Sequence, residues 1–333
     1  MPMRVLSLFI LCATLLASSP ALAQMEPTNR QMPAKAVGMA GVGRSFAGSG
    51  AALYLNPAGL GVVQQYIFGA GYSYSGTDES GHILGLEWTD STPNAYNLAL
   101  GLGFNYVPYS DEAAQSYHAG MAYSIRASSI NIHLGVGAHG MYNMHAGVHN
   151  KLEADSLPPV EGEEPELDAS GFDYWAGDFG VIMDIGNKLL LGAVGYNLFR
   201  QGEEQLPRGV GGGLSFWAGQ FALAFDITAT FHQEMDPCFN AQVVYAAGAQ
   251  IKATDRFFLR VGAQYDTMID RDEVFGEGVH DKIWRVAGGM TIVPTHNFGI
   301  DFGYQQSPTN PDDILATVMF EIYNPFGGAP LGR

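Results

Sequence analysis

The sequence predicts an all-β chain, a transmembrane antiparallel β-barrel of about 14 strands with an N-terminal plug in its lumen. Three observations predict it. Long stretches alternate apolar residues with small or polar ones at a period of two. Charged residues make up only 15% of the chain, against ~25% in soluble domains. The first residues have the layout of an export signal.

In that leader, Arg4 supplies positive charge, Val5 to Ala17 form an apolar run, and Ala21-Leu22-Ala23 is a small-x-small cleavage site. Cleavage is expected near Ala23, so residues 1–23 read as a signal peptide. The run is too short for a membrane-spanning helix, and Leu11 before Cys12 is too large for a lipoprotein site. The rest of the chain holds a single cysteine, Cys238, which excludes an internal disulfide framework. It has no stretch of about 18 uninterrupted apolar residues, which excludes a helical membrane bundle. The net charge of −17 disfavours nucleic acid as a partner.

The alternation carries the strand prediction. Tyr96, Leu98, Leu100, Leu102, Phe104 and Tyr106 fall on one face, with Asn97, Ala99, Gly101, Gly103 and Asn105 on the other. Phe221, Leu223, Phe225, Ile227 and Phe231 oppose Ala222, Ala224, Asp226, Thr228 and Thr230 in the same way. A soluble sandwich would turn long charged side chains to water on its polar face. Here that face carries Gly, Ala, Asn and Thr, which suits an enclosed lumen, and the apolar faces tend to start and finish with aromatics. Segments of this kind begin near residues 64, 82, 94, 115, 129, 172, 187, 208, 219, 238, 255, 282, 296 and 312. The even gaps between them are tight, as at Gly186 and Ala218, and most odd gaps are long. Short turns on one side and long loops on the other are the periplasmic and outer sides of a bacterial barrel. The barrel is thus expected over residues 64–326, with 327–333 as a periplasmic tail.

Residues 24–63 do not alternate and form the expected plug. Their core, Ala36 to Leu60, is apolar and small, with Arg44 as its charged residue. Such a segment would pack closely against a glycine-lined wall. Gly38, Gly41 and Gly43 lack the spacing of a dinucleotide loop, and no strand precedes them. Within the core, Gly43-Arg44-Ser45-Phe46-Ala47-Gly48 and Asn56-Pro57-Ala58-Gly59 resemble the N-terminal hatch of the long-chain fatty acid transporter (FadL-type) family. The Asn-Pro-Ala-Gly form is also similar to the PorV/PorQ relatives of that family. The resemblance implies a 14-stranded barrel behind a plug, sited in the bacterial outer membrane. It also implies passage of small hydrophobic compounds such as fatty acids or hydrocarbons, through a displaced plug and a wall opening or the periplasmic side. A PorV-like scaffold or shuttle for secreted proteins is the alternative.

The expected plug and gate residues are Gly43, Arg44, Gly48, Asn56, Pro57, Ala58 and Gly59. Asn56 and Pro57 read equally as a tight turn, with the Asn side chain bonded to backbone. Polar lumen candidates are Arg126, Asp178, Asp226, Arg260, Arg285 and Asp301, and Glu87, Asp184, Asp266 and Glu321 share their parity. Mixed signs in an enclosed space are expected to pair with each other or with the plug. Should a carboxylate headgroup be read, Arg126, Arg260 and Arg285 are the residues suited to it. His133 and His139 also point inward, but their spacing fixes no metal site. The acidic stretch from Lys151 to Asp173 reads as a solvated external loop. No strand presents a Ser/His/acid set, so neither catalysis nor a cofactor is expected. The expected partners are outer-membrane lipid, the barrel-assembly machinery and a hydrophobic small-molecule ligand.

Overall fold

The computed structural model describes residues 33–46, 48, 50–76, 81–92, 94–108, 113–127, 129–143, 174–202, 207–232, 240–269 and 282–324. The signal sequence, the acidic loop, Cys238 and the C-terminal tail lie outside the described residues. Among the described residues, three short helical pieces come first: α1 (Ala34–Val37), α2 (Ala51–Leu55) and a 3₁₀ turn at Pro57–Gly61. Fourteen strands follow: β1 (Tyr66–Ser75), β2 (Gly81–Asp90), β3 (Leu98–Pro108), β4 (Ala113–Arg126), β5 (Ile130–Asn143), β6 (Tyr174–Ile185) and β7 (Leu189–Gly202), then β8 (Arg208–Ala218), β9 (Phe221–His232), β10 (Asn240–Thr254), β11 (Phe257–Ile269), β12 (Lys282–Thr295), β13 (Phe298–Gln306) and β14 (Ile314–Tyr323). Each pairs antiparallel with its sequence neighbours, and β1 closes on β14 from Ile67↔Tyr323 to Ser75↔Leu315. Closure satisfies every edge, which a sheet inside hydrocarbon must do.

The two faces differ as the alternation requires. On β9, Phe221 is 55% exposed and Phe225 55%, whereas Ala224 is 0% and Asp226 6%. The outward face is apolar on every strand: Leu102, Tyr123, Val136, Leu214, Val261, Trp284 and Phe320 all stand out from the wall. Aromatics mark both rims. Tyr66 packs on Trp88 near the short-turn end, and Tyr265 sits between Tyr245 and Trp284 near the other. The alternation is therefore that of a barrel turned inside out relative to a soluble one.

The predicted strand starts hold to within about two residues, with one exception. The third strand begins at Leu98 instead of near residue 94, so Tyr96 and Asn97 lie in the preceding turn and not on strand faces. The cause is Asn94. Its Oδ1 accepts from the Tyr96 and Leu98 amides at 3.0 and 3.1 Å, and its Nδ2 donates to the Leu98 carbonyl at 2.6 Å. Asn97 takes φ 53° to complete the turn. Elsewhere the short turns are as tight as expected: Gly186 and Asn187 have φ 60° and 57°, consecutive left-handed residues of a tight hairpin.

The wall carries one large irregularity. Phe179 pairs with Gly195 but Gly177 pairs with Phe199, so β7 holds extra residues opposite Asp178. Asn197 sits in this bulge at φ 53°, and its amide donates to Asp178 Oδ1 at 2.8 Å. Asp178 thus fixes the bulge.

Candidate functional site

The described residues between 33 and 63 pack against inward faces of the barrel wall. Their burial is nearly complete: Ala34, Val37, Ala40, Ala52, Asn56 and Ala58 are all 0% exposed. The wall admits them because it presents glycine where their backbone approaches. A Cβ on Gly135 would collide with the Ala58 amide, one on Gly180 with the Asn56 side chain, and one on Gly303 with the Ala34 carbonyl. Apolar side chains fill the remaining space. Leu53 and Leu60 pack with Ala99 and Ala122, while Met39 and Val42 pack with Ala224 and Ala246.

The expected plug residues converge on one knot. Asn56 caps the 3₁₀ turn, with Oδ1 accepting from the Ala58 amide at 3.1 Å and Pro57 at the first helical position. Its Nδ2 donates to the Arg44 carbonyl at 2.7 Å and reaches the Ala193 carbonyl of the wall at 3.3 Å. The Gly43 and Arg44 amides both donate to Asp226 Oδ2, at 2.7 and 2.9 Å, and Arg44 Nη1 lies 3.3 Å from the same oxygen. Arg44 also stacks over Tyr196 at 5.7 Å, and the Tyr196 hydroxyl donates to the Leu55 carbonyl. One wall carboxylate and one Asn therefore hold the two ends of the recognised motif together. Gly59 is buried within the 3₁₀ turn. Gly48 makes a separate contact, being backed by Val63, whose side chain a Cβ there would strike.

The polar lumen candidates fall into pairs. Arg260 reaches Asp301 at 3.4 Å and Gln250 at 2.7 Å. Arg285 holds Asp313 at 2.8 Å and Asp266 at 3.4 Å. His139 stands 3.3 Å from Asp178 and stacks on His118 at 5.6 Å. Arg260 and Arg285 thus already hold carboxylates of the barrel itself. Arg126 differs: it ends β4 exposed at the short-turn rim, apart from the enclosed lumen.

Sequence reading passed over Lys35. It bonds Glu321, lies 3.6 Å from Asp301 and sits over the Tyr323 ring at 5.6 Å, which ties α1 to β13 and β14. Burial opposes its charge, but Asp301 and Glu321 outweigh that and hold its pKa well above the ordinary lysine value. The available signal was a lone lysine entering an apolar segment that must pack in a lumen rich in inward acids.

On the outer face, a groove of about 650 Å³ runs between β1 and β6, with Ala119, Ala138 and Gly140 among aromatic neighbours. The wall beneath it is closed. Gly103, His118 and His139 pair in unbroken register across β3, β4 and β5.

With this geometry in view, the chain can be set beside known structures. Over 88% of its length it superposes on the toluene transporter TbuX of Ralstonia pickettii, covering 98% of that chain, at a TM-score of 0.57 and 12% identity. The toluene transporter TodX of Pseudomonas putida gives 87% and 96% coverage, a TM-score of 0.53 and 13% identity. A FadL homologue of Pseudomonas aeruginosa gives 88% and 97%, 0.53 and 11%. The fold is FadL-type. No protein-family model matches the chain, and comparison with curated proteins gives no match. At such identities the likeness to FadL-type barrels is one of architecture: the same closed wall over nearly the whole of each chain.

Proposed function

We propose that this FadL-type barrel sits in the bacterial outer membrane and passes small hydrophobic compounds, with residues 33–63 as a plug that must shift for each passage. Residues 1–23 serve as its removable export signal. The observation that carries the reading is the packing of an apolar segment against a glycine wall inside an apolar-faced barrel. A segment packed there obstructs the lumen, which makes an open diffusion pore the poorer account. The similarity to toluene transporters favours hydrocarbons, and the plug motif favours long-chain fatty acids as well. No observation favours the secretion-scaffold reading.

Mechanically, the knot at Asp226 and Asn56 and the Lys35 anchor hold the plug shut. A ligand entering from the long-loop end gains apolar contacts as plug side chains give way. Its exit is either the short-turn end or the wall under the β1–β6 groove, where the paired strands would have to part.

The test is uptake of labelled toluene and labelled oleate by cells lacking their own uptake channels and expressing the full chain. Heat-modifiable gel migration checks assembly. Uptake of either compound above the empty-vector level, altered when residues 36–60 are deleted, supports the reading. An assembled barrel that takes up neither overturns it.

A further inference from the structure

His118 of β4 and His139 of β5 stand directly opposite each other on the inward face of the wall, their rings stacked with centroids 5.6 Å apart. Their surroundings are unequal. His139 Nδ1 lies 3.3 Å from Asp178 Oδ2 of β6, so a proton on His139 meets a carboxylate. His118 is half-buried and makes no ion pair among the described residues. Its Nδ1 is enclosed without a hydrogen-bond partner there, and its Nε2 lies 3.4 Å from Ser116 Oγ.

The segment packed against the wall closes over His118. The Tyr54 ring of α2 lies on it, with centroids 4.4 Å apart. Polar contacts tie the two together: Asn105 Nδ2 donates to the Tyr54 hydroxyl at 3.0 Å and to Ser116 Oγ at 3.1 Å. Glu87 of β2 shares this row of the wall, two strands from His118 through Gly103. Its carboxyl ends against the Gly50 backbone.

Protonation therefore treats the two imidazoles differently. A neutral ring carries one N–H, and His118 can leave Nδ1 as its bare nitrogen. The imidazolium carries an N–H on both nitrogens, so charging His118 sets a donor at Nδ1 where no acceptor stands. With the first proton held on His139 by Asp178, it also places two like charges one ring apart. The Tyr54 face attracts such a charge, but it offers Nδ1 no acceptor and leaves the repulsion from His139 in place. Lifting Tyr54 off the wall lets water answer both.

We propose that His118 and His139 form an acid-sensitive release for α2. The second proton taken up by the pair favours the state in which Tyr54 has left the wall, so residues 50–61 are held more loosely below about pH 6.5 than above it. The inference concerns the docking of this segment and does not depend on what the barrel carries.

The test is hydrogen exchange by mass spectrometry on the purified full chain in detergent, from pH 7.5 to 5.5 and corrected for intrinsic rates. One extra proton bound by the lifted state changes the docking equilibrium by up to roughly tenfold per pH unit below the ordinary imidazole value of about 6.5. Peptides covering 50–61 are thus expected to exchange roughly tenfold faster at pH 5.5 than at pH 7.5. His118→Phe keeps a ring under Tyr54 and is expected to remove this acceleration; His118→Asn serves the same purpose if the Phe variant does not assemble. His133, which stands against Gly61, and Glu87, which stands against Gly50, are the other ionisable side chains bordering the segment. His133→Gln and Glu87→Gln are expected to keep the acceleration. Exchange that is flat across the range, or slower in acid, would overturn the proposal, as would an acceleration that survives the loss of His118.

Discussion

Removing the Asp226 carboxylate should release the first half of the plug. The oxygen Asp226 Oδ2 takes two backbone amides, at 2.7 and 2.9 Å, and the Arg44 guanidinium at 3.3 Å. Asp226→Ala strips all three and leaves Arg44 enclosed without its carboxylate, its Nε already lacking a partner. Breaking one side of a buried ion pair costs about 3–5 kcal/mol. At ~1.4 kcal/mol per decade, the docked-to-undocked ratio of residues 33–46 should fall by roughly two to three and a half decades. Hydrogen exchange followed by mass spectrometry reads this directly, as faster exchange in peptides covering 33–46 while the β-strand peptides keep their protection. Arg44→Ala combined with Asp226→Ala should be milder than Asp226→Ala alone, because no isolated buried guanidinium remains. Unchanged exchange in the single variant, or a double variant as labile as the single, would refute the argument that this carboxylate latches the plug.

Three further outcomes follow from the same contacts. Gly135→Val should leave the barrel assembled by gel migration yet expel the Pro57–Gly61 turn, since the new side chain claims the place of the Ala58 amide; planar-bilayer conductance should rise above that of the native chain. Asn56→Ala should lower the unfolding midpoint, with loss of the cap alone costing ~1 kcal/mol, and should increase protease cleavage within 33–46 through loss of the bond to the Arg44 carbonyl. The Lys35 anchor should be insensitive to ordinary alkalinity. Its folded pKa is raised, so its stabilisation is fully present below the unfolded lysine value of about 10.4 and is lost only as pH rises through the higher folded value. Exchange in 33–38 should therefore be flat from pH 7 to about 9.5, once corrected for intrinsic rates, whereas Lys35→Met should exchange faster throughout.

Local chemistry in the sequence determined the wall. A period of two fixes which side chains share a face, and the small opposite face of β9, with Asp226 as its one charge, showed that the apolar one meets lipid. Turn lengths separated the two rims for the same reason, since a tight hairpin needs only residues adjacent in sequence. The one misplaced start, at Tyr96 and Asn97, came from the Asn94 turn overriding an apolar pattern that looked continuous. The apolar, glycine-rich segment from Ala36 to Leu60, with Arg44 as its charged residue, was legible too as one that must pack against something. Only the tertiary structure decided what meets what inside. Lys35 bonds Glu321 across 286 positions, and such a pairing exists only once β14 has closed on β1. Arg126 shares inward parity with Arg260 and Arg285, yet it sits on the rim: parity gives the direction of a side chain but not its depth. Glu87 likewise looked like one inward acid among several. That its carboxylate ends against the Gly50 backbone follows from where residues 50–63 come to rest, which depends on the whole closed wall.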